Sequence, residues 1–393
     1  MAHTFSEALF ALAAIASLAA IAYVSLAFVA IHRFRRRRSE RRPNDFAPPV
    51  TVFKPVCGVD FELDKNLRSF CTQDYPCFQV IFVVRSPDDP ALPIVERIIA
   101  DFPDRDIALV VDPRLRGTNP KVSNLINAFP AAKHDILLVA DSDIRVDSSY
   151  LATVAKSFAD PAVGVVTCPY RGVSAGNLLS DLACLQINEW FLPGVLVSGL
   201  LAGNRYCFGS TMAIRREILA RAGGFESLAD VLADDNMTGQ YALVQGYKVD
   251  LSPYVVDNIV EEKTYRGLVG HELRWARTIF LLNPVGHFFS LLMNTISVAA
   301  ICLVLTGLAT GIEPFELIPV ALAIFLRLML HYVVSRFLGL KHPAPYWMIP
   351  VRDVMSFAVW FASFLGREVH WRGGLFETKR DGSMSKVEAL ETK

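Results

Sequence analysis

One short stretch of the sequence decides the fold: residues 136–143 read ILLVADSD. A short apolar run of this kind is typical of a strand buried on both faces of a parallel sheet. Two carboxylates, Asp141 and Asp143, follow the run directly. Ligands of open α/β sheets bind at the carboxyl ends of the strands, so the stretch predicts both a fold class and the position of a site.

Similar apolar runs, rich in valine and isoleucine, lie on both sides of this stretch. They occur at 50–53, 80–84, 107–111 and 163–167, with amphipathic stretches such as 92–99 and 150–158 between them. Strands that alternate with helices predict βαβ units. We therefore expect an α/β domain built on a mainly parallel sheet.

The two aspartates at 141 and 143 are candidates for binding a divalent cation. The sequence contains neither G-x-G-x-x-G nor G-x-x-x-x-G-K-[ST], so a nucleotide must be held in some other way. Mg²⁺ and Mn²⁺ accept one or two carboxylates and complete their shells with phosphate oxygens and water. Aspartates are also common in solvated turns after strands, and the D-x-D pattern alone does not decide between the two interpretations.

Two further acidic pairs favour a functional interpretation. Asp88 and Asp89 follow the run at 80–84, again at an expected carboxyl edge of the sheet. Asp234 and Asp235 open an expected helix, where carboxylates interact favourably with the helix dipole. One residue of this second pair fits a capping role, and the other fits a general base that deprotonates an acceptor hydroxyl.

Residues 271–275 read HELRW and are expected to lie on an amphipathic helix. The stretch is not a zinc-protease helix, because its fifth residue is tryptophan rather than histidine. Arg274 and Trp275 can bind phosphate and stack on a ring, or they can anchor the helix at a membrane surface. The residues alone favour the anchoring role.

The amino-terminal region predicts a membrane anchor. Residues 8–31 are almost entirely apolar, which is long enough to cross a bilayer, and an arginine-rich run follows at 32–42. Basic residues beside a membrane helix prefer the cytosol, so the polar middle of the chain is expected to be cytosolic. A cleaved signal peptide would carry its positive charge before the apolar run instead.

Overall composition agrees with a membrane protein that does not bind nucleic acid. Hydrophobic residues make up 52% of the chain, and 39 basic residues balance 39 acidic ones. A general nucleic-acid binder would be basic. The seven cysteines form no C-x-x-C pair, which favours reduced thiols over a disulfide framework or a zinc site.

Three apolar stretches close the chain. Residues 288–309 predict a span, and 317–334 predict a second one, in which Arg327 and His331 must face protein or water. The third stretch, 347–365, is interrupted by charged residues, and we favour an interfacial or re-entrant segment over a crossing one. Inside the polar middle, residues 189–201 are apolar but too short to span. They fit a core helix or an interfacial segment that opens a path for a lipid.

Several motifs, in this order, resemble the ceramide glucosyltransferase family. They read DDPA at 88–91, GTNPKVSNL at 117–125, DSDIRV at 141–146, DD at 234–235 and RW at 274–275. The resemblance covers roughly residues 49–284. It implies a GT-A fold, a UDP-sugar donor, a membrane-lipid acceptor and inversion at the anomeric carbon. Ceramide, diacylglycerol and hopanoid lipids are the acceptor classes known for such proteins.

The resemblance also implies residue roles. Asp89, or its neighbour Asp88, would lie near the uridine, and Asp141 with Asp143 would hold the metal and the diphosphate. Asp235 would be the catalytic base. A further set would contact phosphate, the diphosphate or the acceptor: Lys121, Asp234, Arg274 and Trp275. His271 departs from the family pattern, which has glutamine or arginine there, and this departure puts the acceptor in question.

The resulting prediction is an integral membrane enzyme, expected in a bacterial inner membrane with its catalytic domain in the cytoplasm. Its expected division is an anchor at 1–32, a GT-A domain at 49–284, a carboxyl-terminal membrane region at 285–372 and a polar tail at 373–393. Three alternatives remain: a processive polysaccharide synthase, a non-catalytic membrane binding module and a metal-dependent phosphoesterase.

Overall fold

A mainly parallel sheet forms the centre of the chain in the computed structural model, which describes residues 2–40, 46–366, 368–371, 374–378 and 383–386. The strands of the central region are β1 (Val50–Val56), β2 (Phe78–Val84), β3 (Asp106–Val111), β4 (Ile136–Val139), β5 (Ile144–Arg145), β6 (Val163–Thr167), β7 (Tyr170–Ser174), β8 (Met212–Arg215), β9 (Lys248–Leu251) and β10 (Val256–Val260). Among the described residues, seven of them form one sheet in the order β3-β2-β1-β4-β8-β6-β9, and β5, β10 and β7 form a smaller one.

The strand directions confirm the predicted fold class. β1 runs parallel to β2 and β4, β2 runs parallel to β3, and β6 runs parallel to β9. The exception within the seven-stranded sheet is β8, which runs antiparallel to β4 and β6. The five strands predicted from apolar runs are present as β1, β2, β3, β4 and β6.

Helices cover the sheet and continue into both apolar ends of the chain. They are α1 (Ala2–Glu40), α2 (Leu63–Cys71), α3 (Leu92–Asp101), α4 (Pro120–Ala128), α5 (Tyr150–Ala155), α6 (Leu178–Leu185), α7 (Leu192–Ala202), α8 (Arg216–Arg221), α9 (Asp234–Val244), α10 (Tyr265–Leu282), α11 (Pro284–Phe289), α12 (Thr295–Thr310), α13 (Leu317–Leu338) and α14 (Met348–Ser363). A π-helix, Gln186–Phe191, joins α6 to α7.

The core of the α/β region lies on both faces of the sheet. Successive residues of a strand point to opposite faces, and both faces are covered here. Val52 and Phe82 belong to one buried cluster, whereas Phe53 and Ile81 belong to the other. This two-sided burial explains why the strands are continuous apolar runs, and it leaves the carboxyl edge of the sheet as the place for polar side chains.

In the described part of the chain, three helices are long and apolar enough to cross a membrane: Phe10–Arg37, Leu178–Ala202 and Pro314–Leu338. A fourth candidate is a bent pair, Pro284–Met293 and Thr295–Ala309, whose halves meet at 80°. The last arginines of the basic run, at 41–42, lie outside the described residues.

One expectation about the apolar segments was wrong, and another stays a prediction. The predicted span at 288–309 falls on the bent pair of helices, which meet at Asn294, whose side chain accepts a hydrogen bond from Trp190 at 3.0 Å. The stretch 189–201 is not too short, because α6 and the π-helix extend it to 25 residues. Polar residues at 186 and 188 hid this continuity in the sequence, and in the structure they face protein.

The segment after α14 returns to the α/β region. α14 has 16 residues and buries both Arg352 and Asp353. Beyond it lie β11 (Glu368–Trp371), β12 (Gly374–Thr378) and β13 (Met384–Lys386), of which the last two fall in the predicted polar tail. The Met384 amide donates to the Asp230 carbonyl at 2.9 Å. The tail therefore contacts the loop that precedes Asp234. Residues 387–393 lie outside the described residues, and the predicted domain boundaries remain predictions.

Candidate active site

A tight turn before α4 fixes the position of Lys121. Gly117 has φ +77°, and a Cβ there would lie 2.5 Å from the Ala229 carbonyl oxygen, so only glycine fits. Asn119 caps α4 by accepting from the amides of Lys121 and Val122. Its side-chain amide also donates to the Val231 carbonyl at 2.8 Å. The turn is thereby fixed to the loop that leads to Asp234.

Lys121 joins two acidic motifs that are far apart in the sequence. Its Nζ lies 2.7 Å from Asp141 Oδ1 and 3.4 Å from Asp234 Oδ2. Burial alone would lower the pKa of Lys121, but Asp141 and Asp234 outweigh it and hold this pKa well above its usual range. Lys121 is therefore a fixed positive charge at neutral pH.

Gly209 marks the point where the carboxylates converge. A Cβ on this glycine would lie 3.0 Å from Asp141 Oδ2, 3.5 Å from Lys121 Nζ and 3.6 Å from Asp235 Oδ2. The Gly209 amide also donates to Asp235 Oδ2 at 2.9 Å. Nothing in the sequence indicated that Gly209 lies between these side chains.

Asp235 has the electrostatic properties of a base that works near neutral pH. Burial and the neighbouring Asp234 raise its pKa to about 6, although Lys121 and the Asn236 amide oppose the shift. Burial also raises the pKa of Asp234, against the effect of Lys121. The two adjacent carboxylates thus differ in partner, since Asp234 pairs with Lys121 and Asp235 faces Gly209.

Asp143 lies beside Asp141 in a second group of polar side chains. Burial, Asp141 and Asp60 raise its pKa to about 6, while Asn258 and Lys54 lower it. Its Oδ1 atom is buried without a hydrogen-bond partner. The middle residue of the D-x-D motif, Ser142, donates to Asp60 Oδ2 at 2.6 Å. Asp60 was not predicted, because it lies in the loop after β1 with no recognisable motif.

These carboxylates suit a hard cation that also binds phosphate. Across the described ranges, no group of three or more His, Cys, Asp or Glu side chains is arranged to hold a metal on its own. Mg²⁺ commonly takes only one or two carboxylates and relies on substrate phosphates for the rest. The unpartnered Oδ1 of Asp143, next to Asp141, fits such a site.

Lys54 is a site residue that the sequence prediction missed. It is fully buried in β1, and its Nζ donates to the Asp141 backbone carbonyl at 2.5 Å. Burial lowers its pKa to about 7, although Asp141 and Asp143 oppose this shift. The available signal was a lysine inside an otherwise apolar strand. Its contact fixes the backbone from which Asp141 projects.

An aromatic group connects the carboxylates to the apolar helix at 178–202. The Tyr170 ring lies 4.5 Å from the Phe191 ring, and Phe191 lies 5.2 Å from Phe208. The pKa of Tyr170 is raised by burial and then by Asp235 and its neighbouring carboxylates, whereas Arg274 acts in the opposite direction. Tyr170 therefore lies within the electrostatic reach of both the acidic cluster and Arg274.

Helix α10 carries the predicted Arg274 and Trp275. The His271 ring lies 4.7 Å from the Trp275 ring, and His271 Nδ1 lies 3.1 Å from Glu262 Oε1. The residue that departs from the family pattern therefore contacts the tryptophan of the same motif. This geometry links His271 to the orientation of Trp275.

The first acidic pair has a different environment. Both carboxylate oxygens of Asp89 accept from the Gly58 amide, at 3.0 and 3.1 Å, and Oδ1 also accepts from the Ala91 amide. Asp88 is exposed. Asp89 thus orders the loop after β1 and the start of α3. It takes no part in the contacts around Lys121 and Gly209 that join Asp141, Asp234 and Asp235.

The described geometry can be compared with known proteins. A family model described as "Glycosyl transferase family 21" matches residues 15–384. The chain belongs to this family. The predicted resemblance and the predicted enzyme class are confirmed at the level of the family, and the match includes both apolar ends of the chain.

Curated relatives of this family 21 protein include ceramide glucosyltransferases. Ceramide glucosyltransferase 3 of Caenorhabditis elegans is 28% identical over 244 residues, which are 60% of this chain and 52% of that protein. The Candida albicans ceramide glucosyltransferase is 37% identical over 114 residues, which are 26% of this chain and 21% of that protein. The chain thus spans at most about half the length of these relatives.

A solved structure supports the fold assignment. The mannosyltransferase PcManGT from Pyrobaculum calidifontis, in complex with GDP-Man and Mn²⁺, has a TM-score of 0.51 and 23% identity. The match covers 89% of this chain and 99% of that chain. At this identity the likeness supports the fold alone, and it agrees with the predicted GT-A architecture.

Adding one methyl group at Gly209 tests whether the carboxylates form one working unit. We expect Gly209→Ala to lower kcat/KM by about tenfold, because the new Cβ would displace the Asp141 carboxylate by a few tenths of an ångström. The thermal midpoint should stay close to that of the wild type. A matched control is Gly270→Ala, since a Cβ there meets nothing within 4 Å. Equal activity of both variants would contradict a shared site around Gly209.

Proposed function

We propose that this family 21 protein transfers a hexose from a UDP-sugar to the hydroxyl of a membrane lipid, with inversion at the anomeric carbon. The acceptor belongs to the ceramide, diacylglycerol or hopanoid class. The observation that carries the proposal is the gathering of Lys121, Asp141 and Asp235 around Gly209. This cluster lies within the electrostatic reach of Tyr170, whose ring contacts the apolar helix at 178–202.

In the proposed reaction the acceptor oxygen attacks the anomeric carbon as Asp235 takes the hydroxyl proton. The new bond joins this oxygen to the anomeric carbon, the bond from that carbon to the diphosphate breaks, and its electron pair leaves with UDP. Lys121 and Arg274 stabilise the negative charge that grows on the diphosphate. Asp234 holds Lys121 in place, and Trp275 lies on the acceptor side. Asp89 orders the loop that receives the uridine.

The proposed cofactor is Mg²⁺ or Mn²⁺, held by Asp141 and Asp143. When bound, such a cation neutralises charge on the diphosphate. Two observations support this assignment. The carboxylates of Asp141 and Asp143 offer only oxygen atoms, which are hard ligands, and the buried Oδ1 of Asp143 has no hydrogen-bond partner.

We place the protein in a bacterial inner membrane, with its α/β region on the cytosolic side. Arg37, in the basic run at the end of α1, pairs with Asp250 of β9, which supports the positive-inside orientation. In this arrangement α14 lies along the membrane–water interface. It does not cross the bilayer, because the segment after α14 returns to the α/β region. The apolar helix at 178–202 then offers the acceptor a route from the bilayer to Asp235.

A direct assay separates this proposal from its rivals. Membranes from cells that produce the protein are offered UDP-glucose, UDP-galactose or UDP-N-acetylglucosamine, each radiolabelled, and the lipid extract is analysed by mass spectrometry. The proposal predicts label in a chloroform-soluble lipid that carries a hexose. Label in a long polymer would favour a polysaccharide synthase, and an extract without any new glycolipid would contradict the proposal.

The pH dependence follows from the raised pKa of Asp235. The carboxylate must be ionised to accept a proton, so kcat should be level above neutral pH and should fall as the pH drops through about 6. Below that point we expect about a tenfold loss per pH unit, whereas an aspartate with an ordinary pKa of about 3.9 would keep its activity to about pH 4. Rates at saturating donor, measured from pH 4.5 to about 8, check this. A profile that stays level to pH 5 would contradict the raised pKa of Asp235, whereas its role as base is tested by replacing the side chain.

A further inference from the structure

Helix α10 is attached to the rest of the protein through few buried contacts. It has 18 residues, all within the described chain, and only Leu268 and Glu272 are buried. Arg274 and Trp275 lie on this helix. The contact that Glu272 makes therefore contributes to the orientation of the two motif residues, together with contacts of Arg277 and Phe280 nearer the end of the helix.

Arg352 of α14 binds Glu272 in a bidentate ion pair. Its two terminal nitrogens each lie 2.6 Å from one carboxylate oxygen of Glu272. Arg352 is fully buried and Glu272 is 6% exposed. A planar guanidinium bound to a planar carboxylate by two parallel hydrogen bonds fixes direction as well as distance.

The Arg352 end of this pair is itself held by other elements. Its Nε donates to Ser356 at 2.9 Å, and Ser356 donates to Gln186 in the π-helix at 2.9 Å. The next residue, Asp353, accepts from the amide and the hydroxyl of Ser297, at 2.8 and 2.6 Å, at the start of α12. α14 is therefore fixed on α12 and the π-helix, and Arg352 projects from it toward α10.

Helical geometry places Glu272 and Arg274 on opposite sides of α10. Residues two apart in an α-helix are separated by about 200° around its axis. When Glu272 points to Arg352, Arg274 points away from α14. In the proposed function Arg274 acts on the diphosphate, so this second side faces the acidic cluster, and the effect of Arg274 on the pKa of Tyr170 supports that placement.

We propose that the Glu272–Arg352 pair is a positioning device that sets the rotation of α10 and so aims Arg274 at the active site. This inference rests on the proposed function. A buried ion pair adds little net stability over apolar residues of similar size, because burial of the charges offsets their attraction. What the bidentate pair provides is a single orientation of the helix. Glu272 and Arg352 are positioning residues and do not touch the substrate.

The test uses the full chain in lipid nanodiscs and the double variant Glu272→Leu/Arg352→Met. Removing one partner would leave a buried charge and could unfold the protein, whereas replacing both with apolar residues preserves stability. We expect a thermal midpoint close to that of the wild type and a kcat lower by about 10- to 100-fold, as for other small misplacements of reacting groups. Amide hydrogen exchange in α10 should become faster.

Asp353→Asn is the matched control. It changes a buried acid on the same helix that faces α12 rather than α10. The asparagine oxygen can still accept from Ser297 and so keep α14 in place, while the attraction to Arg327, 4.0 Å away, is lost. We expect it to lower the thermal midpoint while kcat and the donor KM stay near wild-type values. A loss of kcat as large as that of the double variant would overturn the proposal, because general loosening of α14 would then explain both.

Two further results would also overturn the positioning role of the Glu272–Arg352 pair. One is a stable double variant with wild-type kcat and unchanged exchange in α10. The other is a double variant in which exchange rises equally across the α/β region. If the wild type transfers no sugar, the proposed function fails, but hydrogen exchange in α10 still decides whether the pair orients this helix.

Discussion

Asp235→Asn should lower kcat by between about 10²- and 10⁴-fold, the range attributed to a positioned general base. The substitution keeps the shape of the side chain and its place beside Gly209, but an amide cannot take up the acceptor proton. The donor should therefore still bind with nearly unchanged affinity. Initial rates of lipid glycosylation, together with titration calorimetry of the UDP-sugar, give both quantities.

The control for this variant is Asp64→Asn. Asp64 lies on α2, where it pairs with Arg68 at 2.8 Å, apart from the cluster around Gly209. Its loss should leave the turnover unchanged, because exposed ion pairs contribute little. Wild-type turnover in Asp235→Asn would remove Asp235 from its role as base. Loss of donor binding in that variant would mean that Asp235 acts on the donor instead.

Asp141→Asn should have the second largest effect, and it should act on donor binding. The substitution removes a negative charge beside Lys121 and one of the two proposed cation ligands. Hydrogen bonds and contacts with charged groups are worth about 1.5–3 kcal/mol, which corresponds to a loss of roughly 10- to 100-fold in affinity. Calorimetry of UDP-sugar binding, with Mn²⁺ and with EDTA, measures this loss.

The comparison of the two conditions is the decisive part. Wild-type protein should bind the donor more weakly in EDTA, and Asp141→Asn should bind it weakly in both conditions. Lys54 helps to keep the fold of the variant intact, because it donates to the Asp141 backbone carbonyl and not to the side chain. Equal affinity of the wild type with and without the cation would contradict the metal role.

Much of the α/β architecture was predictable because short apolar runs in the sequence indicate individual strands. β2, β4 and β6 are apolar runs that are buried along their whole length, and β1 is buried at all but one position, whereas β3 is an apolar run at the edge of the sheet. β8 was not predicted. It has four residues, Met212–Arg215, and its antiparallel direction depends on its neighbours rather than on its own sequence.

The membrane-associated segments were harder to predict, because hydropathy ignores what a helix packs against. Asn294, at the bend, accepts a hydrogen bond from Trp190, more than 100 residues earlier in the chain. The helix at 178–202 contains polar residues that face protein, so that only its second half looked apolar. Arg352 and Asp353 suggested an interrupted span, whereas each has a specific buried partner.

The candidate site was predictable only where its residues form motifs. Asp141, Asp143, Asp234, Asp235 and Lys121 stand in recognisable stretches, and four of them meet in the structure. Lys54, Asp60 and Gly209 are isolated in the sequence. Their roles come from contacts across the sheet edge, which depend on the assembled fold and carry no local pattern.

The most direct test of the central claim is an experimental structure of the protein in a nanodisc with UDP and Mn²⁺. The account predicts that the diphosphate lies between Lys121 and Arg274, with the cation on Asp141 and Asp143 and with Asp235 open to the bilayer side. A nucleotide bound elsewhere, with no ligand near Asp141 and Asp235, would contradict the account.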